Sequence, residues 1–285
     1  MFVLIGIGIV VGAVLGGYLM EDGNMSLLIQ PAELIIIFGA AIGGFIIASP
    51  LKVIKIVMGG LGALFSGKAY SKDDYRDALL LLSEIFFKIR KEGVVAIEAD
   101  VDNPEQSDIF KKYPKMLKNH HALAFITDTL RTISITDIES HELASLLESE
   151  IESHFEEALI PSKSVNNVAD SLPGLGIVAA VLGVVLTMKK ISEPPEVLGH
   201  SIGAALVGTF LGVLMCYGFV GPMSKNLEAL ASEDKDFLTV LKAALVAFVN
   251  TTSPQLAIEF GRRIIPGDIK SSFIEMEEAM KALRK

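Results

Sequence analysis

The chain has 285 residues, 51% of them hydrophobic and 21% charged, with 25 Lys and Arg against 34 Asp and Glu for a net charge of -9. A mean hydropathy of +0.51 alongside so many charges requires the two kinds of residue to occupy separate stretches, which excludes a fully soluble enzyme. The lone Cys216 excludes a disulfide framework or a cysteine metal site within one chain, and the acidic balance without a basic stripe argues against a nucleic-acid partner.

In chain order, residues 1–20 carry no charge and read as a first membrane span. No Lys or Arg precedes the apolar run, so a cleaved signal peptide is not expected. A short loop, 21–33, leads to a second charge-free run, 34–51, and the two make a hairpin over 1–51. A hydrophilic segment, 52–170, follows, interrupted near its start by glycine-rich residues 59–67. Within it, Tyr75, Leu79, Leu82, Phe86 and Ile89 recur at three- and four-residue steps and predict a helix over 73–92, stopped by Gly93. Pro104 and Pro114 break the chain into shorter helices. A further helix is expected over 136–155, opened by Thr136 with Glu139 three residues on, and carrying Ile138, Leu143, Leu146, Leu147 and Ile151 on one face.

A second hairpin, 171–224, has spans at about 171–188 and 199–222; apart from His200, residues 197–224 carry no ionisable charge. The tail, 225–285, is hydrophilic. No alternating strand pattern of useful length occurs, so the fold class is all-α. Of the basic residues only Lys189 and Lys190 fall in the short loops, while Lys52, Lys55, Lys68, Lys72 and Lys225 lie close behind spans. The positive-inside rule then places both termini and the 52–170 segment in the cytoplasm.

None of the four spans carries an acidic or basic residue at its centre, so a proton-conducting chain of this kind needs a partner helix to supply the carboxylate. Glycines at close steps (Gly6, Gly8, Gly12 and Gly16; Gly39 and Gly43; Gly176 and Gly183; Gly208 and Gly212) predict close helix packing and an oligomer. Cys216 reads as a small packing residue. Polar side chains at depth are Thr187, Ser201, Thr209 and Tyr217, and a threonine there ordinarily bonds a carbonyl on its own helix. Pro173 and Pro222 fall at the same membrane face. By position alone, Pro173 reads as a helix-start proline and Pro222 as a helix stop.

Five stretches together carry a family resemblance. They are Gln30-Pro31-Ala32-Glu33, then Asp170-Ser171-Leu172-Pro173-Gly174-Leu175-Gly176-Ile177-Val178-Ala179-Ala180, then Val207-Gly208-Thr209-Phe210-Leu211-Gly212. Tyr217-Gly218-Phe219-Val220-Gly221-Pro222 and Ala257-Ile258-Glu259-Phe260-Gly261-Arg262 complete the set. Over essentially its whole length the chain resembles the A subunit of the bacterial flagellar motor stator, the MotA/PomA family. The resemblance implies an ion-transporting stator subunit for swimming and chemotaxis, not an enzyme, without cofactor or metal. It implies a multi-pass protein of the bacterial inner membrane, assembled as a pentameric ring around a MotB-like partner whose membrane helix carries an aspartate. Pro173 and Pro222 match the prolines that couple ion flow to conformational change, and Thr209 matches a pore-lining threonine. Ala180 and Tyr217 are placed with it on the ion pathway. Arg90, Glu98 and Glu150 match charges that meet the rotor protein FliG. Sodium-driven relatives have a threonine where Ala180 stands, which makes the proton the expected coupling ion. A sodium-driven stator and an ExbB/TolQ-type energiser, normally with three spans, are the alternatives.

Overall fold

The computed structural model describes residues 2–66, 70–251 and 253–283, and among them there are helices and turns but no strand. Met1, Gly67, Lys68 and Lys285, on which sequence expectations fell, lie outside the described residues. Among the described residues, four helical stretches are long and apolar enough to cross a membrane: Phe2–Met20, Met25–Ala48, Ser140–Met188 and Pro195–Thr251. The chain divides into two compact units, Met1–Lys68 with Ala158–Leu230 and Ala69–Glu157 with Ala231–Lys285.

Helix α1 (Phe2–Met20) has no buried residue. A single turn, α2 (Met25–Leu28), is capped by Asn24, whose Oδ1 accepts from the Ser26 amide at 3.0 Å and from its hydroxyl at 2.7 Å. Helix α3 (Pro31–Ala48) opens on a proline, whose missing N–H costs nothing in a first turn. The sequence begins this span at 34, but Pro31 starts the helix early enough to draw Glu33 into it. Helix α4 (Leu51–Ser66) runs unbroken through the glycines at 59, 60 and 62, within the glycine-rich stretch that interrupts the hydrophilic segment. A Cβ on Gly60 would lie 2.8 Å from the Cβ of Pro161, so the small residue serves close approach rather than a break.

Helix α5 (Lys72–Glu92) follows the apolar periodicity. A capping box joins Ser71 and Asp74 at its start, and Gly93 ends it at φ +90°, where an L side chain would be strained. Short helices α6 (Glu98–Asp102) and α7 (Pro114–Lys118) lead to α8 (His120–Ile135) and α9 (Ser140–Ala158). Thr136 does not open α9 as expected. Its extended backbone closes α8, with both its amide and its hydroxyl bonded to the Thr132 carbonyl, and Glu142 reaches back to the Glu139 amide at the start of α9.

Helix α10 (Ile160–Met188) is continuous across position 170/171, where hydropathy divides the sequence. Helix α11 (Pro195–Leu214) passes into a π-helical segment, Met215–Val220, and then into α12 (Gly221–Thr251). The chain ends with α13 (Pro254–Ile264) and α14 (Phe273–Ala282), the latter capped by a Ser272–Glu275 box.

In the first unit, Ile37 and Ala41 of α3 bury against Ala169, Leu172 and Ala179 of α10 and against Cys216. Val57 and Leu64 of α4 close on Val165 and Leu227. Beside them Ser162 and Ser224 exchange bonds, each hydroxyl donating to the other's carbonyl at 3.0 and 2.9 Å. These reciprocal bonds tie α10 to α12 two residues beyond Pro222.

The second unit has the larger core. Tyr75, Leu79, Leu82, Phe86 and Ile89 are all buried, and they meet Phe237, Leu241 and Leu245 of α12; Phe86 stacks on Phe248 at 4.1 Å. Full burial of side chains this size stabilises by roughly 1.5–3 kcal/mol each. The tail stretch 257–262 is part of this architecture. Gly261 lets α13 approach α5, since its Cβ would lie 2.8 Å from Leu79 Cδ2. Arg262 pairs bidentately with Glu259, both contacts at 2.7 Å, and donates to the Ser271 carbonyl at 3.0 Å.

A polar network is enclosed beside that core. Asp234 accepts from Tyr70 OH at 2.5 Å and lies 2.7 Å from His154 Nε2, Asn119 donates to Tyr70 at 2.9 Å, and His121 lies with its ring centroid 3.4 Å from that of His154. Burial first, and then His154, hold His121 below its ordinary pKa of 6.5. For Asp234, burial opposes ionisation, but the bonds from His154 and Tyr70 outweigh it and leave the carboxyl below its ordinary 3.8. A histidine with a depressed folded pKa contributes stability that is present above its unfolded value and lost as pH falls through the folded one. The thermal midpoint of the purified chain should therefore decline on acidification below 6.5, before Asp234 begins to titrate, and His121→Asn should flatten that decline. An unchanged slope in the variant would reassign the effect to another group.

Candidate functional site

The first unit's interior is organised by α10 and α11, joined by a short turn and therefore antiparallel. Their backbones meet at glycines. A Cβ on Gly176 would lie 2.7 Å from the Gly208 carbonyl oxygen and 3.3 Å from the Thr209 Cα. One on Gly212 would lie 2.5 Å from the Leu172 oxygen and 2.9 Å from the Gly176 Cα. This is small-residue packing at the limit of what two helices allow. The glycines of α1 behave differently: Gly6, Gly8, Gly12, Gly16 and Gly17 meet nothing within 4 Å.

Around this seam lie several of the residues singled out in the sequence. Ala180 is buried, its amide nitrogen 3.1 Å from where a Gly208 Cβ would stand. Thr209 is half-buried at the same level. Thr187 donates to the Gly183 carbonyl at 2.9 Å, as an intramembrane threonine ordinarily does, whereas Thr209 makes no such bond among the described residues. Tyr217 is 73% exposed and stands apart from the seam.

Neither proline takes its simple positional role. Pro173 lies inside α10, not at its start, so the Ala169 carbonyl loses its donor within an unbroken helix. Pro222 does not stop the chain; α12 carries on for 31 residues from Gly221. Instead Pro222 follows the π segment, in which the Gly221 amide bonds to the Cys216 carbonyl five residues back. The wider turn accommodates a residue that cannot donate to Gly218.

In the second unit Arg90 and Glu98 are exposed at the two ends of one tight connection, the last turn of α5 and the first residue of α6, with exposed Val95 between them. Glu150 is exposed on α9, and among the described residues no ion pair joins it to either. Seam residues are thus brought together, and the three charges form one local pair plus one separate position.

One residue of the site was not singled out in the sequence. Glu33 is 93% buried, being 7% exposed, with its carboxyl wedged between α10 and α11. Its Oε2 lies 2.6 Å from where a Gly208 Cβ would stand and its Oε1 3.4 Å from that of Gly183, and among the described residues Oε2 has no hydrogen-bond partner. The span centres carry no charge, as expected, but the first turn of α3 brings a carboxyl of its own into the packed interior. An apolar window starting at Leu34 assigns Glu33 to a loop; the signal that finds it is Pro31, which starts the helix one turn earlier.

Comparison with known proteins places this arrangement. Residues 4–93 match the motility protein A N-terminal family, and residues 114–238 match the MotA/TolQ/ExbB proton channel family. The chain is 41% identical to motility protein A of Salmonella typhimurium and to that of Escherichia coli, in each case over 100% of this chain and 96% of the relative. Its fold is similar to a chain in the structure of C. jejuni MotAB, with a TM-score of 0.77 at 19% identity, covering 95% of this chain and 98% of that one.

Proposed function

Because the chain belongs to the motility protein A family, we propose that it acts in a bacterial flagellar motor as the stator subunit that turns proton flow into torque. The full-length agreement with named motility proteins carries this reading, and an N-terminal match that spans the first hairpin sets it apart from three-span energisers. Its work is transport, not enzyme catalysis.

In this reading the chain lies in the inner membrane with both termini in the cytoplasm, and five copies surround a MotB-like partner whose membrane aspartate carries the proton. The open glycine face of α1 supports a neighbouring helix, because glycine gives little packing area to lipid. Thr209, unbonded within its own helix, supports a hydroxyl free for the partner or for a water path. Ala180 presents only a methyl group. A dehydrated sodium ion needs several oxygen ligands, whereas a proton needs one carboxylate, so Ala180 favours the proton. One charge crossing 100 mV releases about 2.3 kcal/mol, enough for a step between two weakly held arrangements. Exposed Arg90 and Glu98 suit a rotor contact that is repeatedly broken, since such pairs contribute ~0.2–1 kcal/mol.

The test is complementation of a strain lacking its stator genes. The chain with a one-span, aspartate-bearing partner restores swimming that a protonophore stops and sodium removal does not. Arg90→Glu and Glu98→Lys each cost most of the swimming speed while the complex still leaks protons. Swimming that resists the protonophore and needs sodium would reassign the ion; unchanged speed in both charge reversals would remove the rotor surface from the 90–98 connection.

A further inference from the structure

Glu33 is built into the wall of the conducting unit, yet the mechanism above gives it nothing to do. Its carboxyl meets Gly183 and Gly208, and the other atoms that crowd those two positions belong to Ala205 at Gly183 and to Ala179 and the Ala180 amide at Gly208. None of them titrates. The helices that pack on α3 are α10 and α11, and their charged or titratable residues at the ends, Lys163, Asp170, Glu196 and His200, are all exposed. Among the described residues no ion pair reaches this carboxyl, and its Oε2 is unpartnered.

Those surroundings decide its chemistry. An anion here would hold a full charge in an apolar slot with an unpartnered oxygen, the most costly state available to a carboxyl. The acid form leaves only a neutral group there. A hard metal cation is a poor occupant, because it needs several oxygen ligands and the facing side chains are hydrogen atoms and methyl groups. The niche fits a proton. It also adjoins Ala180 and Thr209, through the Ala180 amide and the residue preceding Thr209.

We propose that Glu33 is a proton-binding site contributed by this chain, holding its proton while packed against Gly183 and Gly208 and exchanging it with the conducting path beside Ala180 and Thr209. In the exchange the acid O–H bond breaks, the electron pair remains on the Glu33 oxygen, and the proton passes to water or to a carboxylate of the partner helix. Reprotonation from water on the other side of the site restores the acid. The proposal rests on the proton-driven stator reading and adds a second titrating carboxyl to it.

Two measurements on the complex with its one-span partner test this. A hydrophobic carbodiimide, which attacks protonated carboxyls within apolar protein, should modify Glu33 in membranes, with the labelled fraction of its peptide falling as the buffer is made alkaline. Glu33→Gln should accumulate and co-purify with the partner, yet lose most of its proton flux. Glu33→Asp should keep part of the flux and shift its pH profile. If Glu33→Gln does not accumulate, wild-type labelling and the Glu33→Asp profile decide the matter. An unlabelled Glu33, or a Glu33→Gln complex with wild-type flux and pH profile, overturns the proposal. If the wild-type complex conducts no protons, both readings fall; if it conducts and Glu33→Gln matches it, only this one does.

Discussion

Gly212→Val is expected to abolish swimming and to release the partner from the complex, while the second unit keeps its helical content. The reason is where the new side chain must go. A Cβ at 212 would stand 2.5 Å from the Leu172 oxygen and 2.9 Å from the Gly176 Cα. Both are backbone atoms, so no rotamer change relieves the clash and the helices must part. Overpacking a well-packed interface costs roughly 1–3 kcal/mol where side chains can yield, and here none can. Separating α10 from α11 also uncouples Gly176 from Gly208 and opens the slot that holds Glu33. Gly199→Ala is the control: it lies on the same helix, its Cβ meets nothing within 4 Å, and exchanging glycine for alanine in a helix favours the helix by about 1 kcal/mol. Motility on soft agar, membrane level and co-purification distinguish the two. Wild-type behaviour of Gly212→Val would show that the seam is not closed in the working complex.

The contrast between what the sequence discloses and what it hides follows from range. Apolar runs and the three- and four-residue periodicity of Tyr75 to Ile89 depend on neighbours within a turn or two, and the structure buries all five of those side chains. Thr136 misleads because a threonine ahead of a glutamate fits a start signal, but a helix already in progress reaches the residue first and uses it as an end. Gly60 is poor helix material by propensity alone; its close approach to Pro161, a hundred residues away, gives the small residue its place in α4. Glu33 is the same problem at the site. Its charge argues for water locally, and only the glycines at 183 and 208 make room for it between two distant helices. The family resemblance singles out Ala180, Thr209 and Tyr217 together, but spacing gives no hint that Ala180 is covered and Tyr217 exposed.

The second large effect is expected at Pro222, where the sequence reads a stop and the structure shows a passage. Proline supplies no N–H to the Gly218 carbonyl, and its ring keeps that carbonyl at a distance. The chain answers with the π segment Met215–Val220, in which the Gly221 amide reaches the Cys216 carbonyl five residues back. Pro222→Ala restores the donor and lets residue 222 bond Gly218, which removes the reason for the wide turn. Conversion to α geometry then rotates residues 195–214 against 221–230 by about one residue step, roughly 100°. Gly208 and Gly212 would leave the face that meets Gly176 and Leu172, taking Thr209 with them. The new bonds are ordinary helical ones, but the rotation brings larger side chains to the seam, so the variant should lose swimming and, as at Gly212, its hold on the partner, with the π segment absent from its structure. Pro173→Ala should do less, because α10 is already α-helical through that position and gains a bond without changing register. If Pro222→Ala swims and keeps the wide turn, then the packing of Gly218 against Val10 and Leu214, not the proline, holds the π segment in place.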